Sequence, residues 1–346
     1  MSQIKVRNAN ISSRKLEGVK KYIPGLAVVY LIASISYLLG KTFPLIGGAF
    51  FAIVIGAVLK NLVGVESYLD SGIKYSTKKI LKYAIVLIGA GLSITEIMNV
   101  GGKAMLIIVV TIVLSLALII PIGRLLKLDT KLSSLIAIGT AICGSTAIAV
   151  TSPLIKAKEE QVAYAVSTIF LFNIIALIIY PFIGHTFQIS DQMFGTWAGT
   201  AVHDTSSVVA VGFSYSDEAG NIATIVKLTR TLFLLPLSLL IVGIAMIKGQ
   251  NDDSSTTTKN ILNAVPWFIF GFLAMALVNT FGLLPKSALS ELTFIGKFLI
   301  IMAMAAIGLG VDIEKIKSAG LKPMMLGLIA SVIISVTSII LITIIL

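Results

Sequence analysis

Charge is what this sequence has least of. Only 12% of its 346 residues are Asp, Glu, Lys or Arg, about half the share of an ordinary soluble domain, while 57% are hydrophobic and the mean hydropathy is +1.00. A soluble globular protein is excluded. Cysteine is nearly absent too: Cys143 is the one thiol, so neither an internal disulfide nor a cysteine-based metal site can form. The two histidines, His185 and His203, make no evident metal-ligating cluster, and no metal is expected. No phosphate-binding loop, nucleotide fingerprint or metalloprotease motif occurs, which argues against an ATP-driven pump, and no cofactor is implied. No small-residue cleavage pattern follows the first apolar stretch, so residues 1–22 read as a basic cytoplasmic tail on an uncleaved first helix.

What the chain does have is apolar runs. A membrane span needs about 20 apolar residues. Eleven candidate segments lie near Ile23 to Gly40, Phe43 to Leu62, Ile80 to Ile97, Met105 to Gly123, Leu132 to Val150, Val162 to Gly184, Phe194 to Phe213, Ile222 to Ile247, Ile261 to Phe281, Phe294 to Val311 and Leu321 to Leu346. The expected fold is an all-α, multi-pass membrane protein of about 9 to 11 transmembrane helices, a single transporter domain over 23–346. The net charge of +11 is read by loop rather than as a nucleic-acid surface. Lys60, Lys74, Lys78, Lys79, the stretch Arg124 to Lys131, Lys248, Lys259, Lys315 and Lys317 all fall on one side with the basic N-terminus. That side is expected to be the cytoplasm, in a bacterial inner membrane. The polar stretch 249–260 reads as a loop.

Two segments are unusual for lipid. Residues 132–153 carry GTAICGSTAIAVTSP, and 194–213 carry FGTWAGTAVHDTSSVVAVGF. Backbone breaks and hydroxyls at membrane depth are tolerated where protein or a wet cavity covers them, so both read as broken helices or re-entrant hairpins lining a pathway. Close helix packing through small residues is the plainer alternative. The two stretches align without a gap, GTAICGSTAIAV from Gly139 on GTAVHDTSSVVA from Gly199. LSITEIMNVGGKAM from Leu92 also matches LGVDIEKIKSAGLKPM from Leu309. If both odd segments re-enter, nine full spans remain and every repeated pair is inverted, with repeats around 82–184 and 194–346. Inverted repeats are the usual design of secondary transporters.

His203 and Asp204 sit in the middle of an apolar segment beside Thr205, Ser206 and Ser207, and an intramembrane ionisable pair is a functional candidate by default. Imidazole titrates near neutral pH, so the pair is the candidate coupling element; a structural contact to backbone is the alternative. Lys227 and Arg230, three residues apart, share one helix face. By insertion scales each costs about 2.5–3.5 kcal/mol at the centre of a membrane helix, so both need partners, and an anionic substrate is one. Snorkelling to an interface is the other reading. The break at Gly144, followed by Ser145 and Thr146, would present amides and hydroxyls to the same anion. Cys143 and Asn173 are candidate lining residues, and Asn173 suits helix-helix contact equally well. Glu96 and Asp312 are expected to cap or end helices near the interface, and Trp197 and Trp267 to be packing or interface residues rather than ligands. A serine protease built on Ser145 and His203 lacks a recognisable oxyanion hole, so no enzymatic activity is expected.

The stretches CGSTAIAVTSPLIKAKEEQVAYAV, FGTWAGTAVHDTSSVVAVG and IATIVKLTRTLFLLP, in this order, resemble the YeiH-like sulfate exporter family of bacterial membrane proteins over nearly the whole chain. The resemblance implies kinship with cation/proton antiporters and bile-acid/sodium symporters, with broken helices crossing at the site. It places the family's Cys-Gly on Cys143 and Gly144, its His on His203, its acidic residue on Asp204 and its Lys and Arg on Lys227 and Arg230. Family members often carry Glu at the position of Asp204 and Gln near Ser207, so this pocket is richer in hydroxyls. The expected function is therefore secondary transport of a small anion (sulfate, sulfite or a sulfonate), with export as the implied direction, coupled to H+ or Na+. A passive anion channel is the competing reading. The expected partners are that anion, the lipid bilayer and, as an open option, a second copy in a homodimer, with no nucleic acid.

Overall fold

The computed structural model describes residues 20–43, 46–247, 266–312 and 320–346, and every regular element among them is helical. Most of the basic tail, the 249–260 loop with Lys248 and Lys259, and Lys315 and Lys317 lie outside the described residues. In chain order the helices are α1 (Ile23–Thr42), α2 (Gly48–Leu62), α3 (Asp70–Tyr75), α4 (Leu81–Ile88) and α5 (Ile94–Leu125). Then come α6 (Thr130–Ala141), α7 (Ser145–Leu154), α8 (Glu159–Thr186), α9 (Asp191–Ala201) and α10 (Thr205–Tyr215). The chain closes with α11 (Asp217–Leu232), α12 (Leu234–Ile247), α13 (Trp267–Thr280), α14 (Lys286–Leu309) and α15 (Leu321–Ile345). Among the described residues, six runs are long and apolar enough to cross a membrane: α1, α5, α8, the α11–α12 stretch Asp217–Gly243, α14 and α15. The shorter α2 and α13 are apolar as well.

The helices divide into two compact units, 1–84 with 294–312, and 85–293 with 313–346. In the first, α1 packs on α2 and α3. A Cβ on Gly25 would lie 2.2 Å from the Leu69 carbonyl oxygen and 2.8 Å from Gly72 Cα, so α1 and α3 meet backbone to backbone, which only glycine permits.

The second unit holds every residue singled out above as a candidate site. Its first long helix, α5, has 32 residues and starts at Ser93, whose hydroxyl accepts the Glu96 N–H at 3.2 Å. This corrects the expected segment Ile80 to Ile97. α4 ends at Ile88, Gly89–Gly91 form a 3-10 turn, and Ile94 to Ile97 open the next helix. His185, expected in a connection, occupies the last turn of α8, where its ring stacks on Tyr215 with centroids 4.4 Å apart.

Both unusual segments are broken, and both double back. Asp129 caps α6 by accepting the N–H groups of Lys131 and Leu132, and Lys131 Nζ donates to the Lys156 carbonyl at 2.7 Å. The start of α6 thus lies beside the end of α7. Ser216 Oγ donates to Asp191 Oδ1, and Tyr215 OH donates to the Ile189 carbonyl, which brings the end of α10 beside the start of α9. The two hairpins hang from opposite ends of α8, whose 28 residues span about 42 Å at 1.5 Å each. Many helical hydroxyls in this unit, Thr111, Thr151, Thr200 and Thr224 among them, bond the carbonyl four residues back, so their polarity is spent locally.

Candidate functional site

The hairpin tips meet. Gly144 and Asp204 face each other so closely that a Cβ on Gly144 would lie 3.1 Å from both Cα and Cβ of Asp204. Gly144 has φ +63° and ψ −128°, a conformation essentially confined to glycine, and from it α7 starts without a side-chain cap. Asp204 caps α10: its Oδ2 accepts the Ser206 N–H at 3.1 Å and also the Ser206 hydroxyl, while Oδ1 accepts the Ser145 hydroxyl at 3.0 Å. One carboxylate therefore ties the N-terminal ends of α7 and α10 together, where the positive helix-dipole ends favour it. Asn173, from the middle of α8, accepts two tip N–H groups with Oδ1, from His203 at 3.2 Å and Asp204 at 3.1 Å. The second tip thus sits at the mid-height of α8.

Lys227 and Arg230 are both 0% exposed, on α11. Neither takes Asp204 as partner. Lys227 Nζ donates to the carbonyls of Ile142 at 2.7 Å, Val202 at 3.0 Å and His203. Arg230 donates from Nε to Ala141 O at 2.6 Å, from Nη2 to Thr140 O at 2.8 Å, and from Nη1 to Thr200 O. Each cation bridges both hairpins at the ends of α6 and α9, whose last carbonyls have no partner within the helix. The partner that the sequence demanded for these cations is backbone. Each break therefore separates two kinds of terminus: a carbonyl end held by cations and an amide end gathered around Asp204. The tip of the first hairpin, with Cys143 1% exposed, packs in an apolar cluster with Ile108 of α5 and Val226 of α11.

His203 is 3% exposed, and its Nε2 lies 2.8 Å from Ser331 Oγ on α15. Ser331 Oγ also donates to the Gly327 carbonyl at 2.8 Å, and His203 Nδ1 is buried without a hydrogen bond. Ser145 and His203 are turned to different partners, Asp204 and Ser331, and form no nucleophile-base pair.

Of the remaining candidates, Ser145 and Thr146 are exposed and Thr205 is half-buried, whereas Ser206 and Ser207 are buried. The structure thus brings Gly144, Ser145, Asp204 and Ser206 into one contact set, with Asn173 and the two cations behind it. Trp197 packs, stacked on Tyr180 at 4.1 Å, and Trp267 is 46% exposed, the two alternatives that the sequence offered for them. Ser331 and Ser335 were not legible as neighbours of the site. Their signal was two hydroxyls four residues apart on one face of an otherwise apolar helix.

Comparison with known proteins places this arrangement in a wider set. The model of a family described as Conserved hypothetical protein 698 matches residues 24–327. A UPF0324 membrane protein of Clostridium tetani is 38% identical over 332 residues, covering 92% of this chain and 96% of its own length. One of Streptococcus agalactiae is 40% identical over 313 residues, covering 89% and 93%. One of Fusobacterium nucleatum is 38% identical over 331 residues, covering 91% and 96%. With matches of this extent and a run of apolar helices, the chain is a membrane protein and belongs to the UPF0324 membrane protein family.

Proposed function

We propose that this protein is a secondary transporter that moves a small anion across the bacterial inner membrane by alternating access around the two hairpin tips. The observation that carries the reading is the meeting of Gly144 and Asp204 at the mid-height of α8, with hairpins arriving from opposite ends. In this reading both hairpins are re-entrant and related as inverted repeats, and nine spans remain. The N-terminus and the basic loops then lie in the cytoplasm. Transporters commonly place their site where such repeats meet and where interrupted helices present their ends.

An anion is favoured by charge. Two buried cations stand against one carboxylate, and the uncapped start of α7, with exposed Ser145 and Thr146, offers free amides and hydroxyls. Lys227 and Arg230 contribute positive potential while holding the tips in place; direct hydrogen bonds to substrate fall to Ser145, Thr146 and Thr205. Asp204 joins both tips, and a proton or Na+ arriving at its carboxylate would change the bonds that hold them, so it couples ion and substrate. The buried imidazole of His203, next in the chain to Asp204, is a second place for a proton. The family resemblance supplies the first substrates to try, sulfate, sulfite and sulfonates, with export as the direction.

The test is flux into proteoliposomes. Uphill accumulation of a labelled sulfur oxyanion, driven by an imposed proton or sodium gradient and weakened by Thr146→Val, is the expected result. Downhill leakage that ignores both gradients would establish a pore instead. No flux of sulfur oxyanions or small carboxylates in either direction would refute the proposal.

A further inference from the structure

Beside the second hairpin tip, where His203 meets α15, lies a cavity of about 260 Å³ between α8, α9 and α15. Ala176 and Tyr180 of α8 and Val332 of α15 form walls, and Trp197 and His203 form the floor. The polar groups of that floor are engaged with one another. Trp197 Nε1 donates to the carbonyl and hydroxyl oxygens of Ser335, both at 3.2 Å, and His203 Nε2 meets Ser331 Oγ. What remains facing the space is almost entirely hydrocarbon.

The mouth is apolar as well. Ile179, Leu328 and Val332 line the cavity and are 45%, 53% and 52% exposed, on two helices long and apolar enough to cross a membrane. An opening between such helices faces acyl chains, not water. A dry apolar cavity of about 150 Å³ already takes up benzene, and this one is larger. A small anion finds no free donor on the floor, so the occupant matching both the lining and the surroundings is a methylene chain.

We propose that this cavity binds one hydrocarbon chain of a bilayer lipid, inserted between α8 and α15 until it touches Trp197 and the His203 side of the hairpin tip. The bound chain supports the tip at its His203 side, while Gly144 meets the tip at Asp204. This binding requires only that the chain resides in a membrane and is independent of what it transports.

The chain contains two tryptophans, so Trp267→Phe leaves Trp197 as the sole tryptophan, excited selectively over the tyrosines at the red edge of the absorption band. The full-length variant is reconstituted in phosphatidylcholine vesicles brominated midway along one acyl chain, with unbrominated vesicles as reference. Trp197 is 3% exposed and lines the cavity, so a chain inside brings bromine closest to its ring, and substitutions that fill or obstruct the cavity separate that from quenching by lipid outside. The expected result is a clear loss of emission relative to the unbrominated vesicles, because bromine quenches tryptophan at short range. Ala176→Phe fills the cavity and Val332→Phe obstructs its mouth, and quenching weakened by either one on the Trp267→Phe background supports the proposal. Val332 is half-exposed, so its substitution leaves the packing of the unit intact even if Ala176→Phe impairs folding. Unquenched Trp197 emission in brominated vesicles would overturn the proposal. So would equal quenching with and without the substitutions, in variants whose circular dichroism matches the parent.

Discussion

Replacing Lys227 by methionine tests whether the buried cations build the site or serve as bare substrate ligands. Methionine has nearly the same length and keeps the apolar contacts of α11 but removes the ammonium. Three carbonyls, of Ile142, Val202 and His203, lose their donor. Leaving a buried acceptor unpaired costs about 1–3 kcal/mol, so the gross loss is roughly 3–9 kcal/mol. The substitution also removes the penalty of holding a charge away from water, which offsets part of that loss and leaves a net cost toward its lower end, about 3–5 kcal/mol. Both hairpin tips depend on these bonds, so the loss is expected to appear as a fall in melting midpoint on the order of 5–10 °C. Thermal unfolding in detergent, followed through Trp197 emission in a Trp267→Phe background, reads it directly. Lys227→Arg should not restore the midpoint, because a planar fork cannot replace an ammonium surrounded by three acceptors. If Lys227→Met leaves the midpoint unchanged and only weakens anion binding, the assignment of Lys227 to the hairpin carbonyls is refuted.

Gly144→Ala forces a side chain into a glycine-only conformation and against Asp204, at a cost of about 2–3 kcal/mol; lower thermal stability and loss of flux should appear together. Asn173→Ala strips two tip N–H groups of their acceptor and should lower stability by roughly 2–4 kcal/mol, whereas Asn173→Gln, one methylene longer, should restore little; denaturation in mixed micelles measures both. Asp204→Asn keeps an acceptor for Ser145 while removing the charge, so the protein should stay folded and retain downhill exchange but lose its response to an imposed proton or sodium gradient; unaltered gradient-driven uptake would exclude Asp204 as the coupling residue. Tyr215→Phe removes one bond closing the outer end of the second hairpin and should cost only about 1 kcal/mol, read as a small shift in the same melts.

Several of these features could be read from the residues alone because their signals are local. The breaks at Gly144 and Asp204 announce themselves as small and hydroxyl residues where a span should be apolar, and the match between GTAICGSTAIAV and GTAVHDTSSVVA links them. The need of Lys227 and Arg230 for partners followed from the cost of placing them in an apolar helix. Which partners they have was not legible, since backbone carbonyls occur at every residue and acquire meaning only where a helix ends. The start of α5 was hidden for a related reason: Thr95, Glu96 and Asn99 suggest an interface, yet Ser93 caps a helix that includes them. The role of Asn173 was half visible. Its position between the two interrupted segments was plain, but a side chain accepting two backbone N–H groups from a different hairpin leaves no pattern of spacing.

Cys143 lies one residue before the glycine at the first tip, buried and unique in the chain. It is thereby a built-in reporter. A water-soluble maleimide cannot reach it while Ile108 and Val226 cover the thiol, and any motion that parts the tip from α5 and α11 exposes it. The labelling rate of the wild-type protein, with no cysteine-free background to engineer, thus becomes a clock for tip opening and can be timed against each trial ion and anion in turn.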